Sequence, residues 1–221
     1  MRILALETSS RRGSVALVEH GRVVARATHD VRNTHAEALR PLVDRVLAEA
    51  GWTKQGLDRI GVGVGPGSFT GLRVGMAFAQ GIALGLGIPW LGVPSLWAMA
   101  HAAPPELPGT RVALLDARRD EVFVAAYAAD GTEHWAATTL ARARVREEVN
   151  ARVEHALILG EVAAELGFGA SHRSELTDLP DASGVALLAE LRDPATSVRE
   201  PLYVRDAGAT PQTLPPSPLG G

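Results

Sequence analysis

Cysteine is absent from the 221 residues, which excludes disulfides, thiolate metal sites and a thiol nucleophile. Lysine is almost absent: Lys54 stands alone and every other strongly basic side chain is arginine, a bias that genome composition explains as readily as function. No sign of charge dominates. The formal net charge is −3, so there is no global basic field of the kind that drives tight, salt-sensitive nucleic-acid binding. Paired histidines and HExxH are missing as well. His35 opens a helix, but the position one turn later is Leu39, so it reads as a surface side chain and no metal ligand is expected. Met1 to Leu6 meet the acidic Glu7 too soon for a secretory apolar core, which points to a cytoplasmic protein.

Nor is there a clean membrane span. The longest apolar stretch begins at Leu72, carries Arg73 and Gln80, includes Gly75, Gly81 and Gly85, and falls short of the roughly 20 residues that a spanning helix needs. Yet the chain is organised around this stretch. Ile60, Val62 and Val64 suit a buried strand, Gly65-Pro66-Gly67 a sharp turn, and Ser68 or Thr70 a helix cap. A helix apolar on nearly every side cannot face water, and its glycines imply close approach of another backbone. Burial in the fold and burial against another subunit both satisfy it.

Taken in order, residues 2 to 28 predict a meander of three strands: Ile3 to Leu6, Ser14 to Glu19 and Arg22 to Thr28. Thr34 and Glu37 fit a capping box, and the helix they open runs to Ala50 and ends at Gly51. Leu39, Leu42, Val43, Val46, Leu47 and Ala50 give it one apolar face. Pro41 lies within it and removes a helical hydrogen bond. A strand over Ile88 to Gly92 and a helix from Ser95 to His101 precede Ala103 to Gly109, whose three prolines and glycine mark a boundary. Beyond it come a hairpin (Arg111 to Leu115, Val122 to Ala128), strands at His134 to Thr139 and Ala156 to Leu159, and helices at Glu161 to Leu166 and Gly184 to Leu191. The expected units are 1–103, 104–206 and a disordered tail over 207–221.

The segments ILALETSSRRGSVAL, THAEALRPLVDRVLAEAG, VGVGPGSFTGLRVGMAFAQGIALGLGIPWLGVPSL, LLDARRDEVF and PLYVR, in this order, resemble the bacterial TsaB (YeaZ) family. The resemblance runs from Met1 to about Glu121 and returns at Pro201 to Arg205. It implies an α/β fold of two actin-like lobes with mixed sheets (ASKHA, ribonuclease H-like), the second lobe reduced. It also implies a role in making threonylcarbamoyladenosine beside the tRNA anticodon. In that family the protein is a non-catalytic scaffold that dimerises with its catalytic paralogue TsaD through two helices, corresponding here to Thr34 to Ala50 and Leu72 to Leu86. It recruits the ATPase TsaE, and tRNA is met only within the complex. A homodimer through the same helices stays open. Glu7 replaces the aspartate more usual at its corner, and Asp120 stands where glycine is commoner.

The residues agree with a non-catalytic part. An actin-like ATPase or kinase, the alternative reading, needs two glycine-rich hairpins around the phosphates. Glu7-Thr8-Ser9-Ser10 has no glycine before Gly13, and Asp116-Ala117-Arg118-Arg119-Asp120 has none at all. The loop Gly65, Gly67, Ser68, Gly71 is neither a Walker A motif nor GxGxxG, and serves as a structural turn or an anion-binding helix start. A metallopeptidase, the older M22 label of the wider superfamily, lacks its ligands. No catalytic residue, cofactor or metal is expected. The expected partner interface is Leu39, Leu42, Val43 and Val46 joined by Met76, Ala79, Gln80 and Ala83. Arg11, Arg12, Arg118, Arg119 and Arg205 are candidates for a local tRNA contact if the fold gathers them.

Overall fold

The computed structural model describes residues 1–30, 35–169 and 171–204. Apolar runs at the start of the chain form β1 (Arg2–Glu7), β2 (Arg12–Glu19) and β3 (Arg22–Asp30) as an antiparallel meander. His20 and Gly21 reverse the chain between β2 and β3, both with positive φ, as a two-residue hairpin requires. Helix α1 (His35–Ala50) crosses to β4 (Arg59–Gly63), and α2 (Phe69–Leu86) crosses to β5 (Trp90–Val93). Both new strands join in parallel, giving the sheet order β3-β2-β1-β4-β5. Thr34 lies outside the described residues; α1 runs through Pro41 and ends at Gly51, which is left-handed.

Helix α3 (Ser95–His101) leads to the second lobe: β6 (Thr110–Arg118), β7 (Glu121–Tyr127), β8 (Glu133–Ala141), α4 (Arg142–Arg152) and β9 (Ala156–Leu159). Its sheet, β8-β7-β6-β9, repeats the first four strands of the first lobe with the same pattern of antiparallel and parallel pairings. The reduction is specific. Where α2 follows β4, a single 3-10 turn, Glu161–Ala163, follows β9. The helix expected over Glu161 to Leu166 is this turn, and among the described residues the place of a fifth strand is taken by a single parallel bridge between Leu159 and His172.

Helices α5 (Glu175–Asp178) and α6 (Ala182–Leu191) close the described fold. Helices α1 and α2 cover one face of the first sheet with Leu39, Val43, Val46, Met76 and Ala79 against Leu4, Leu6, Ile60 and Val62. That leaves Ile3, Ala5, Ala16 and Val18 on the other face, and α6 covers them with Val185, Ala186 and Ala189. The second unit expected over 104–206 therefore returns its last helix to the first lobe, because a sheet apolar on both faces must be covered on both. Segment 197–204 returns too: the Gly92 N–H donates to Ser197 Oγ (2.8 Å) and the Leu202 N–H to the Val64 carbonyl (2.7 Å).

Helix α3 is shared, with Leu96 and Met99 in the core of the second lobe and Ala98 in that of the first. Gly184 of α6 crosses it so closely that a Cβ there would sit 2.5 Å from the Ala98 carbonyl oxygen. Gly184→Ala must push the two backbones apart and is expected to cost about 2 kcal/mol, the range of core overpacking, read as a lower midpoint in denaturant unfolding.

Candidate functional site

Two lobes of this topology offer a cleft between four loop ends: the β1–β2 turn, the β4–α2 loop, the β6–β7 turn and the loop after β9. The first two are fused. Glu7, at the end of β1, is fully buried; its Oε1 accepts the Ser9 N–H (2.6 Å) and its Oε2 the hydroxyl of Ser95 (2.8 Å) at the start of α3. Ser95 Oγ in turn accepts the Gly65 N–H (3.1 Å). Thr8 Oγ1 donates to the Gly71 carbonyl (2.8 Å), and the Ser68 N–H donates to the Ser9 carbonyl (2.7 Å). Residues 7–9 fill the space into which glycines 63, 67, 71 and 75 would otherwise extend side chains. Ser68 caps α2 through the Gly71 N–H. The loop Gly65, Gly67, Ser68, Gly71 is thus a turn seated on the first hairpin, and the Gly71 amide at its helix start is already capped by Ser68. Ser9 Oγ is enclosed there without a hydrogen-bond partner.

The β6–β7 turn is built differently. Arg118, Arg119 and Asp120 are all left-handed, with φ of 61°, 52° and 62°. Such backbone costs an ordinary residue about 1 kcal/mol or more. Asp116 Oδ1 holds the turn by accepting the Arg118 N–H (3.0 Å) and an Arg142 Nη2 donor (3.2 Å), while Arg142 also meets Glu165 at 2.8 Å. This is a side-chain-clamped turn with bulky residues, and no glycine, at its tip.

Across the cleft, Arg11 pairs with Glu161 at 2.6 Å, and Arg12 donates to the carbonyls of Glu175 and Leu179. Arg26 binds the buried Asp181 at 2.7 Å and Glu175 at 3.0 Å. Arg11 thus ties the β1–β2 hairpin to the turn after β9 in the second lobe, whereas Arg26, on β3, holds the N-cap of α6 against the sheet that α6 covers. Arg118 and Arg119 stand at the tip of the β6–β7 turn, and Arg205 lies outside the described residues. A cavity of about 600 Å³ lies elsewhere, between the starts of β6 and β8 and the end of α4, lined by Thr110, His134, Trp135, Arg152, Glu154 and His155.

Of the eight residues expected at a partner interface, seven are interior. Leu39, Leu42, Val43, Val46, Met76, Ala79 and Ala83 form the core beneath α1 and α2, and Gln80 alone is exposed. Their 3.6-residue periodicity marks the face that meets the sheet, so an arginine placed at Ala79 or Ala83 would break the lobe itself. The expectation that α2 cannot face water also needs correcting. Its outer side, Phe69, Arg73, Ala77, Gln80, Gly81, Leu84 and Gly85, is open, with Leu84 85% exposed. Gly71 and Gly75 meet Thr8 as close-approach glycines, whereas a Cβ at Gly81 or Gly85 would meet nothing. The outer face of α1 is charged, with Arg40, Asp44, Arg45 and Glu49 exposed.

Burial raises the Glu7 pKa above its ordinary value near 4.5, and the hydrogen bonds from Ser9 and Ser95 pull it back only in part. A carboxyl whose folded pKa is raised stabilises the fold fully below the unfolded value; that contribution falls as pH climbs through the folded pKa and is then constant. Glu7→Gln removes the titration. Its thermal midpoint relative to the wild type is expected to rise between pH 4.5 and 8, and a flat difference over that range would show that Glu7 titrates normally.

A family model described as TsaD, tRNA N6-adenosine threonylcarbamoyltransferase, matches residues 23–163. The tRNA threonylcarbamoyladenosine biosynthesis protein TsaB of Escherichia coli (strain K12) is 40% identical over 136 residues, which are 61% of this chain and 58% of that protein. The chain therefore spans little more than half the length of that curated relative. Among solved structures, YeaZ from Pseudomonas aeruginosa superposes with a TM-score of 0.74 at 29% identity, covering 91% of this chain and 99% of that one. The (R)-2-hydroxyglutaryl-CoA dehydratase component A of Acidaminococcus fermentans, 13% identical with a TM-score of 0.59, covers 86% of this chain and 97% of its own and shares the fold alone. The actin-like, two-lobed α/β class expected from the sequence is the class observed.

Proposed function

Since the chain belongs to the tRNA N6-adenosine threonylcarbamoyltransferase family, and within it to the TsaB (YeaZ) proteins, we propose that it is a non-catalytic scaffold in threonylcarbamoyladenosine formation on tRNA. It pairs with the catalytic member, TsaD, and the pair recruits TsaE; tRNA is met by the assembly. The observation that carries this reading is a contrast between two places on the first lobe. The corner where an actin-like ATPase would admit phosphates is occupied by the chain's own Glu7, Thr8 and Ser9. The outer face of α2 is left apolar and open.

That face has the shape of a helix-packing surface. Ala77, Gly81 and Gly85 recur every four residues and make a shallow groove, with Leu84 standing beside it. Small residues at this spacing let a second helix come within close van der Waals range, and the groove is bounded by side chains that can interlock with it. The matched family region includes α1 and α2, so the catalytic member carries a related helix pair. Two such faces can meet about a pseudo-twofold axis, the heterodimeric counterpart of an isologous contact. A homodimer would use the same face and compete with TsaD for it.

Leu84→Arg and Gly81→Arg place a charge in open space on this face and leave the core untouched. Each is expected to lower affinity for the cell's own TsaD at least a hundredfold in titration calorimetry, with the monomer's thermal midpoint unchanged. Tight association of both variants would put the interface elsewhere. Millimolar or absent binding of Mg-ATP to the isolated chain is expected from the filled corner, and micromolar binding would restore the ATPase reading.

A further inference from the structure

The open ridge of α2 ends at its N-terminus in a cluster that the proposed helix pairing does not use. Phe69 and Tyr203 are exposed aromatics, 40% and 45% accessible, with ring centroids 5.2 Å apart. The Arg73 guanidinium lies 3.8 Å above the Phe69 ring, and its Nε donates to the Tyr203 hydroxyl at 3.2 Å. Among the described residues no carboxylate pairs with Arg73, so both Nη groups remain available. Tyr203 reaches this place because segment 197–204 is pinned to the first lobe at Gly92 and Val64.

Resting on the scaffold reading above, we propose that Phe69, Arg73 and Tyr203 are the anchor of the TsaD-binding face, and that their occupant is a carboxylate side chain of TsaD flanked by apolar surface. Three features point to this chemistry. The cluster continues the α2 ridge by two helical turns, from Ala77 to Arg73 to Phe69, so a partner seated on the ridge reaches it. A planar guanidinium stacked on an aromatic ring and fixed through Nε turns its two remaining nitrogens outward, the fork that engages a carboxylate in two parallel hydrogen bonds. Its side-chain order is set before binding, which is how a few aromatic and arginine residues come to dominate an interface.

One consequence is that the face is composite. It combines α2 with a segment whose course begins beyond α6, so the docking surface is complete only when segment 197–204 is seated along β5.

The test is titration of the wild-type chain, Arg73→Ala, Arg73→Lys and Tyr203→Ala with TsaD from the same cell, beside Leu84→Arg, with thermal unfolding of each. Arg73→Ala and Tyr203→Ala are expected to weaken association at least tenfold at an unchanged thermal midpoint, and Arg73→Lys to recover less than half of the lost affinity on a logarithmic scale. Affinity of the wild type should fall more steeply with salt than that of Arg73→Ala. Deletion of residues 197–221 should weaken binding at least as much as Tyr203→Ala. If that deletion unfolds the chain, the point variants still decide. Wild-type affinity in Arg73→Ala and Tyr203→Ala, with loss in Leu84→Arg, overturns the anchor and leaves the scaffold reading intact; wild-type affinity in all of them overturns both. Retained TsaD binding with loss of tRNA from the assembled complex would also overturn the proposal, since the cluster would then be contacting nucleic acid.

Discussion

The first lobe depends on one close approach: residues 7–9 lie inside the angle between the start of α2 and the start of α3. A carboxyl, a threonine hydroxyl and two backbone carbonyls occupy the volume that side chains at 63, 67, 71 and 75 would need, so glycine at those positions and hydroxyl-rich residues on the turn are two halves of one steric condition. Removing water from Glu7 is costly, and the Ser9 amide and Ser95 hydroxyl offset part of that cost. The same contacts fix the directions of both helices. Helix α2 is held along one face of the sheet, and α3 is aimed out of the lobe toward the second sheet.

That geometry sets the two lobes' loop ends apart. In the first lobe the phosphate-side loops are bonded to each other. In the second, the turn at Arg118 to Asp120 is left-handed at three successive residues that all carry a Cβ, and it is held by Asp116 and Arg142 where glycine would have needed no clamp. Between them Arg11 and Arg12 reach Glu161, Glu175 and Leu179, and Arg26 holds Asp181 at the start of α6. Partly buried pairs such as Arg26 with Asp181 contribute more to a defined geometry than to net stability, because desolvation offsets much of the Coulomb gain.

Much of this was legible from the residues. Strand and helix positions in the first lobe followed from apolar period and turn chemistry, since Leu4, Leu6, Val62 and the α1 stripe obey the spacings of buried faces. Three features were not legible, each for a physical reason. Helix α4 carries only Val145 and Val149 inward and is otherwise arginine and glutamate with Ala143, Asn150 and Ala151, so it shows no apolar period. Helix α6 was assigned to the lobe next to it in sequence, because periodicity reveals that a face is buried and not which sheet buries it. The interface residues were misplaced for a related reason. Apolar side chains at spacings of three and four mark the face turned to the core, whereas the open face proposed for a partner is made of Ala77, Gly81 and Gly85, which barely register as apolar.

The glycines of α2 thus divide into two groups with opposite roles, and the division bears on why the helix tolerates four of them. Each interior glycine costs about 1 kcal/mol relative to alanine. Gly71 and Gly75 offset it within the chain, since a methyl at either would strike Thr8. Gly81 and Gly85 have no such recompense, because nothing in the lobe approaches them. A helix that gives up stability at two exposed positions, while presenting a bare leucine beside them, is locally inconsistent as part of an isolated monomer. Local inconsistency of this kind concentrates where function imposes a second requirement. The pairing proposed above would supply that requirement by drawing a partner backbone close over Gly81 and Gly85, on the side of α2 facing away from the filled corner.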